Sequence, residues 1–128
     1  MSLFTKIIAG ELPCYKIHED ELTFSFLALD QINLGHTLVV PKLEVDHFME
    51  VPPDTATRLF LNSQMIGKAI RKVTECKRVG IIVQGFEVPH THIHLIPAWG
   101  PGDMTFAKAS RRSENEMKKI QEQIIQNL

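Results

Sequence analysis

The sequence predicts an α+β fold: an antiparallel sheet of about five strands, one long helix, and short helices near the two termini. Three observations point there. Five short runs rich in apolar and β-branched residues are separated by glycine, proline or acidic turn signals. One segment, roughly Thr55 to Cys76, carries its apolar side chains at helical steps. Near the end, Ser113-Glu114-Asn115-Glu116 has the form of a capping box. Strands that follow one another without intervening helices pair antiparallel, and the helices are then expected on one face of the sheet.

In chain order, Leu3, Phe4, Ile7 and Ile8 form a short helical stripe, with Gly10 as its stop. Tyr15 to His18 reads as a short strand, and Glu19-Asp20-Glu21 as a polar turn. Leu22 to Leu29 is a stronger strand. Leu22, Phe24, Phe26 and Ala28 share one of its faces, and Leu27 and Leu29 make its far end apolar on both. Asn33-Leu34-Gly35 is a turn, and His36 to Val40 is the next strand, closed by Pro41. After Val51-Pro52-Pro53-Asp54 comes the long helix, with Asp54 or Thr55 as candidate cap. Its Leu59, Ser63, Ile66, Ile70 and Val73 repeat at steps of four and three on one face. Val79 to Gln84 reads as a buried strand, and Gly85-Phe86-Glu87 as a short connection to the strand His90 to Ile96. Trp99 to Asp103 is a loop. A last helix, about residues 113–127, has Met117, Ile120, Ile124 and Leu128 as its stripe.

The 128 residues suit one domain, 1–128, and 44% hydrophobic against 23% charged residues fits a globular chain with a real core. A formal net charge of -1, with short basic clusters only at Lys68-Arg71-Lys72 and Arg111-Arg112, disfavours a nucleic-acid polymer as partner. Cys14 and Cys76 stand far apart in no CxxC pattern and read as reduced thiols. Charge enters the N-terminal segment too early for a signal peptide, and no apolar run reaches the ~20 residues of a membrane span. The expectation is a cytoplasmic protein with no membrane partner.

The stretch richest in chemistry is His90-Thr91-His92-Ile93-His94-Leu95-Ile96, between Pro89 and Pro97. On a strand the three imidazoles point to one side, about 6–7 Å apart at the Cα atoms, and line an accessible face. Thr91, Ile93 and Leu95 turn to the core. Three in register between two prolines argue against a merely histidine-rich surface. Two chemistries remain open on spacing alone. Histidines two apart on a strand can share a zinc ion, though no Glu, Asp or Cys lies at close ligand spacing within the motif. Alternatively a neutral imidazole can attack phosphorus and form a covalent intermediate. That needs one ring nitrogen held by an acceptor, donors around the phosphate oxygens, and a proton for the leaving group.

The stretch resembles the defining motif of the histidine-triad (HIT) superfamily, His-φ-His-φ-His-φ-φ with φ apolar; Thr91 is a mild departure. Phe4-Thr5-Lys6-Ile7-Ile8-Ala9-Gly10-Glu11-Leu12-Pro13 is similar to the family's opening segment, and Gly35-His36-Thr37-Leu38-Val39-Val40-Pro41-Lys42 to its upstream strand. The resemblance covers residues from about 3 to 98. It implies a HIT-like α+β fold and a nucleotide hydrolase or nucleotidyl transferase. His92 would attack the α-phosphorus of a nucleotide conjugate, and water would release the nucleoside monophosphate. His90 and His94 would hold the site, and His36 would reach it from the adjoining strand. Gln84 matches a position that binds the phosphate or leaving group. Phe4, Ile7, Phe26 and Leu29 fall where the family builds its base pocket, although apolar residues at such spacing are equally read as core. No metal or cofactor is implied, and a homodimer is.

Two departures from the family pattern stand out. Ala28 occupies the place of the usual ribose-binding aspartate, and Asp30, on the same strand face if the strand persists, is the candidate substitute. Without a replacement the lost hydrogen bond weakens discrimination by ~1–3 kcal/mol. The link before the triad is only Gly85-Phe86-Glu87-Val88-Pro89, with Glu87 where a hydroxyl residue is usual, and a carboxylate repels a phosphate. The overall length and N-terminal segment favour a Hint-like phosphoramidase. Gln84 leans toward a Fhit-like dinucleoside polyphosphate hydrolase. A HIT-fold binding module with little turnover, in which Trp99 and Phe106 close over a ligand or pack in a dimer, and a His-ligated metal hydrolase are the further alternatives. The apolar stripe of the long helix is either core or dimer interface.

Overall fold

The computed structural model describes residues 1–128. Its elements are α1 (Leu3–Ile8), β1 (Lys16–Glu19), β2 (Thr23–Leu27), β3 (Asp30–Gln31), β4 (Thr37–Pro41), α2 (Pro53–Thr74), β5 (Arg78–Ile82), β6 (Ile93–Ala98), β7 (Ser110–Arg111) and α3 (Glu114–Gln126). Short 3-10 turns lie at Phe48–Glu50, Pro101–Asp103 and Phe106–Lys108. The main sheet has five strands in the order β1-β2-β4-β6-β5, and every neighbouring pair is antiparallel. A two-residue ladder pairs β3 with β7. This is the α+β class expected. No helix is long and apolar enough to cross a membrane, and both cysteines are free thiols.

The pleat assigns each side chain. Leu27, Val39, Ile93 and Leu95 face α2 and α3, where they meet Leu59, Ile66, Ala69 and Ile70 of α2 and Met117, Ile120 and Ile124 of α3. The stripe of α2 is therefore core. Phe24, Phe26, Ala28, Leu38 and Val40 face the other way and pack on Phe4 of α1. Helices thus lie on both faces, contrary to the one-face expectation. The aromatic residues of β2 need a cover, and α1 supplies it, with Phe4 edge-on to Phe26 at 5.5 Å between centroids.

Other boundaries moved for local reasons. β2 stops at Leu27, two residues early, because the chain turns at Ala28 and Asp30 joins β3 instead. Asp30 therefore does not share the face of a continued strand. α2 starts at Pro53, whose missing N–H costs nothing at the first helical position. Neither Asp54 nor Thr55 caps it: Pro52 is the capping residue and makes no side-chain bond. α3 opens with the expected Ser113–Glu116 capping box but ends before Leu128. β6 starts only at Ile93, so His90, at a bend where its N–H donates to Val88 O at 2.8 Å, and His92 lie in the irregular approach to the strand. There Thr91 N–H donates to Val45 O at 2.7 Å instead of joining the sheet ladder.

Candidate active site

The triad histidines do not line an open face. All three are buried, because α1 covers that side of the sheet. Phe4 lies edge-on to His90 at 5.6 Å and to His92 at 5.0 Å between ring centroids. On the far flank Phe106 lies edge-on to His94 at 4.8 Å. His36, just before β4, meets His94 directly, as β4 and β6 are sheet neighbours.

Hydrogen bonding sets the tautomer of each ring, because backbone N–H groups only donate and carbonyls only accept. His92 Nδ1 is 2.7 Å from His90 O, so Nδ1 carries the proton and Nε2 keeps its lone pair. His90 Nε2 is 2.8 Å from Pro41 O and must donate. Its Nδ1 therefore accepts, and the donor is the Ser2 hydroxyl at 2.7 Å. Ser2 in turn caps α1 by accepting from Thr5 N–H at 3.0 Å. Glu44 Oε1 accepts from Ser2 N–H and from the Thr5 hydroxyl, each at 2.6 Å. The Ile32 N–H donates to His36 Nδ1 at 3.1 Å. His36 therefore carries its proton on Nε2 and donates to His94 Nδ1 at 2.9 Å. His94 is left with an N–H at Nε2.

Burial holds His36, His92 and His94 toward the neutral form. Burial alone pulls His36 down to about 4. Burial, with the neighbouring rings of His92 and His36, pulls His94 down to about 3. Burial also lowers His92, against its bond to His90 O and the negative charge of Glu87. The arrangement is one unprotonated nucleophilic nitrogen beside one N–H donor. With four of the six triad ring nitrogens already bonded to Ser2, Pro41 O, His90 O and His36, the rings do not converge their lone pairs on one point. No group of three His, Cys, Asp or Glu side chains is placed to hold a metal ion.

Two clefts meet at His92. The first, about 370 Å³, is walled by Phe4, Ile7, Phe26 and Leu29, the four named from the resemblance, by Asp30, the candidate substitute for the ribose contact, and by His36 and His94. Phe106 and Glu87 complete its rim. The second, about 530 Å³, holds Gln84 with Asp46, His47, Phe48, Met49 and Phe86. Trp99 lines neither cleft and is half exposed. Asp30 reaches the first cleft from β3, with one oxygen taken by Arg111 Nε at 2.8 Å. No lysine or arginine lines either cleft; the charged residues there are Asp30, Glu87 and Asp46.

Ser2, Glu44 and Gln31 were not legible as site residues. Ser2 reaches His90 across 88 positions of sequence. Gln31 lies in β3, but its sequence neighbours Asp30 and Asn33 are those of a polar turn and give no signal that its side chain is buried. His47 carried a signal of its own, being a histidine outside the triad, but nothing in its spacing tied it to His92.

A model of the HIT domain matches residues 9–99. The Protein hit of Bacillus subtilis (strain 168) is 37% identical over 108 residues, 79% of this chain and 73% of that protein. The adenylylsulfatase HINT3 of Arabidopsis thaliana is 30% identical over 128 residues, 96% of this chain and 65% of its own length. The adenosine 5'-monophosphoramidase hnt1 of Schizosaccharomyces pombe is 31% identical over 97 residues, 74% of this chain and 72% of that one. A crystal structure of a Hit-like protein from Bartonella henselae shares the fold, with a TM-score of 0.87 at 22% identity, covering 99% of this chain and 96% of that one.

Proposed function

The chain belongs to the HIT domain family, and from that premise we propose that it hydrolyses small nucleoside phosphoramidates through a nucleotidyl-histidine at His92. The observation that carries this is the 2.7 Å bond from His92 Nδ1–H to His90 O, which leaves the Nε2 lone pair free on a ring that lines both clefts. His92 Nε2 attacks the α-phosphorus. The P–N bond breaks with its electron pair on the leaving nitrogen, which takes a proton from solvent in the second cleft and departs as an amine. His94 Nε2–H donates to a phosphate oxygen as charge builds there. Water then attacks phosphorus, the P–N bond to His92 breaks, and nucleoside monophosphate leaves. The apolar first cleft takes the base, Asp30 offers its free oxygen to the ribose, and Gln84 stands on the leaving-group side.

The clefts themselves favour an amine over a phosphate chain as leaving group. A dinucleoside polyphosphate would bring several negative charges past Asp46 and Glu87 with no lysine or arginine to meet them. An amine meets carboxylates and the apolar side chains of Phe48, Met49 and Phe86 instead. The monophosphoramidase named for the relative hnt1 fits this side. The anionic leaving group implied by the name of HINT3 fits it less well.

The test is turnover of adenosine phosphoramidate, adenylylsulfate and diadenosine polyphosphates by wild type and His92→Ala. The phosphoramidate should have the highest kcat/KM, and the variant should lose at least ~10³-fold, as expected on removing a nucleophile. Equal activity in the variant would sink the nucleophile. Binding of AMP with no turnover of any substrate would leave a binding module.

A further inference from the structure

A neutral imidazole shows an anion either an N–H or a lone pair, and the two attract and repel it respectively. For His94 that choice is made away from the ring itself. His94 Nδ1 accepts from His36 Nε2 at 2.9 Å, and His36 Nδ1 accepts from Ile32 N–H at 3.1 Å. The pattern is fixed at its far end by a backbone amide in the turn between β3 and β4, so whatever holds that turn holds both tautomers.

Backbone bonds from Ala28 N–H to His36 O at 3.0 Å and from His36 N–H to Asn33 O at 3.1 Å help hold it, as does Asn33 Nδ2 donating to Pro97 O at 2.8 Å, but one side chain ties both ends of the loop from within. Gln31 is fully buried and its carboxamide is saturated. Nε2 donates to Ala28 O at 2.6 Å and to His36 O at 2.7 Å. Oε1 accepts from Gly35 N–H at 2.8 Å and from His36 N–H at 3.1 Å. Two donors and two acceptor sites are all that an amide has. They tie the start of the 28–36 loop to its end, and His36 itself is gripped at both backbone groups. Gly35 supports the same geometry with a φ of +112°, in the region that disfavours a side chain.

We propose that Gln31 is a positioning residue for the reaction at His92: by clamping the 28–36 loop it aims Ile32 N–H at His36, and so presents His94 to the phosphate as a donor. The proposal deepens the phosphoramidase reading and rests on it for its catalytic consequence; the tautomer link stands on the hydrogen bonds alone. Leu29 and Asp30 lie inside the clamped loop and line the first cleft, so the clamp also sets part of its rim. A buried amide that merely closed a loop would matter for stability and leave the rings as they are. A clamp on tautomers changes the rings.

The experiment is 15N NMR of histidine-labelled protein without substrate at pH 7.5, beside steady-state kinetics on adenosine phosphoramidate. Wild type should show His36 and His94 protonated at Nε2 and His92 at Nδ1. In Gln31→Leu, which removes all four bonds, the His36 and His94 signals should move toward a tautomer mixture. Its kcat should fall on the order of 10–100-fold, the range for a residue that orients a functional histidine, while KM moves little. Gln31→Glu keeps the two acceptor bonds and sets a carboxylate against two carbonyls; it should fall between, and it decides the matter if the leucine variant does not fold. Unchanged ring signals in a folded variant overturn the proposal, as does a wild-type His94 protonated at Nδ1. A wild type without turnover would remove the phosphoramidase reading, and the spectra would still decide whether Gln31 governs the rings.

Discussion

As the proposed nucleophile, His92 can act only while Nε2 is unprotonated, so its titration should appear directly in the rate. Burial holds its pKa below the ordinary 6.5. The sign follows: from neutral pH downward, kcat/KM stays flat through 6.5 and falls only below it, as protons take the lone pair. A kcat/KM profile from pH 4 to 8 with its acid limb below 6.5 agrees with a buried, neutral ring. A limb at or above 6.5 means that the ring is more exposed or more strongly paired with Glu87 than its packing under Phe4 implies. At this scale the sequence was most legible where chemistry repeats. The triad stands out by alternation, and His36 by its place in a segment similar to the family's. Ser2 and Gln31 were illegible, because a short polar side chain near a turn has the same appearance buried or solvated. Only the packing of α1, and the pairing of β3 with β7 that ends β2 early, decides which it is.

The elements were legible in kind and misplaced at their ends, for reasons that are local. α2 shows this best. Its stripe of Leu59, Ile66 and Ile70 fixes both its existence and its buried face, yet its start depends on Pro53 and its stop on one residue. Glu75 ends the helix with φ 57° and ψ 28°, left-handed backbone in which its N–H donates to Arg71 O at 2.8 Å. An L-residue there costs ~1–2 kcal/mol that glycine avoids. Part of that gain is offset by the greater freedom of glycine in the unfolded chain. Glu75→Gly should therefore raise stability by about 0.5–1 kcal/mol in urea unfolding, with an unchanged m-value and unchanged turnover. A fall in the urea midpoint would mean that Glu75 makes a favourable contribution its backbone does not reveal. The histidine stretch illustrates a different limit. Alternation placed all three rings on one side, but whether that side met water depended on α1, an element some 80 positions earlier in the chain.

At the scale of the whole molecule, the core leaves an apolar area uncovered on the outer side of α2. The stripe of α2 is consumed by the sheet, but its outer side carries Phe60 and Leu61, 40% and 52% exposed, beside Ile81 of β5 at 49%. Ala56, Thr57 and Gln64 join these three in a shallow trough, and Val83, just beyond β5, is 37% exposed. β5 is also an edge strand, with one side of its backbone unpaired within the chain. Edges and apolar areas of this kind are usually blunted by charge or covered. Here the covering most consistent with both is a second copy of the chain, since an isologous contact pairs one edge with its own image and buries the same side chains twice. The expected homodimer is thus predicted to form through β5 and the outer face of α2, not through the stripe. Leu61→Asp with Ile81→Lys should give a monomer by light scattering at concentrations where the wild type has twice the chain mass. The thermal midpoint of the wild type alone should then rise with protein concentration. A wild type that remains monomeric at 100 µM would show that these side chains meet only water, and a doubly substituted protein that still dimerises would place the contact elsewhere.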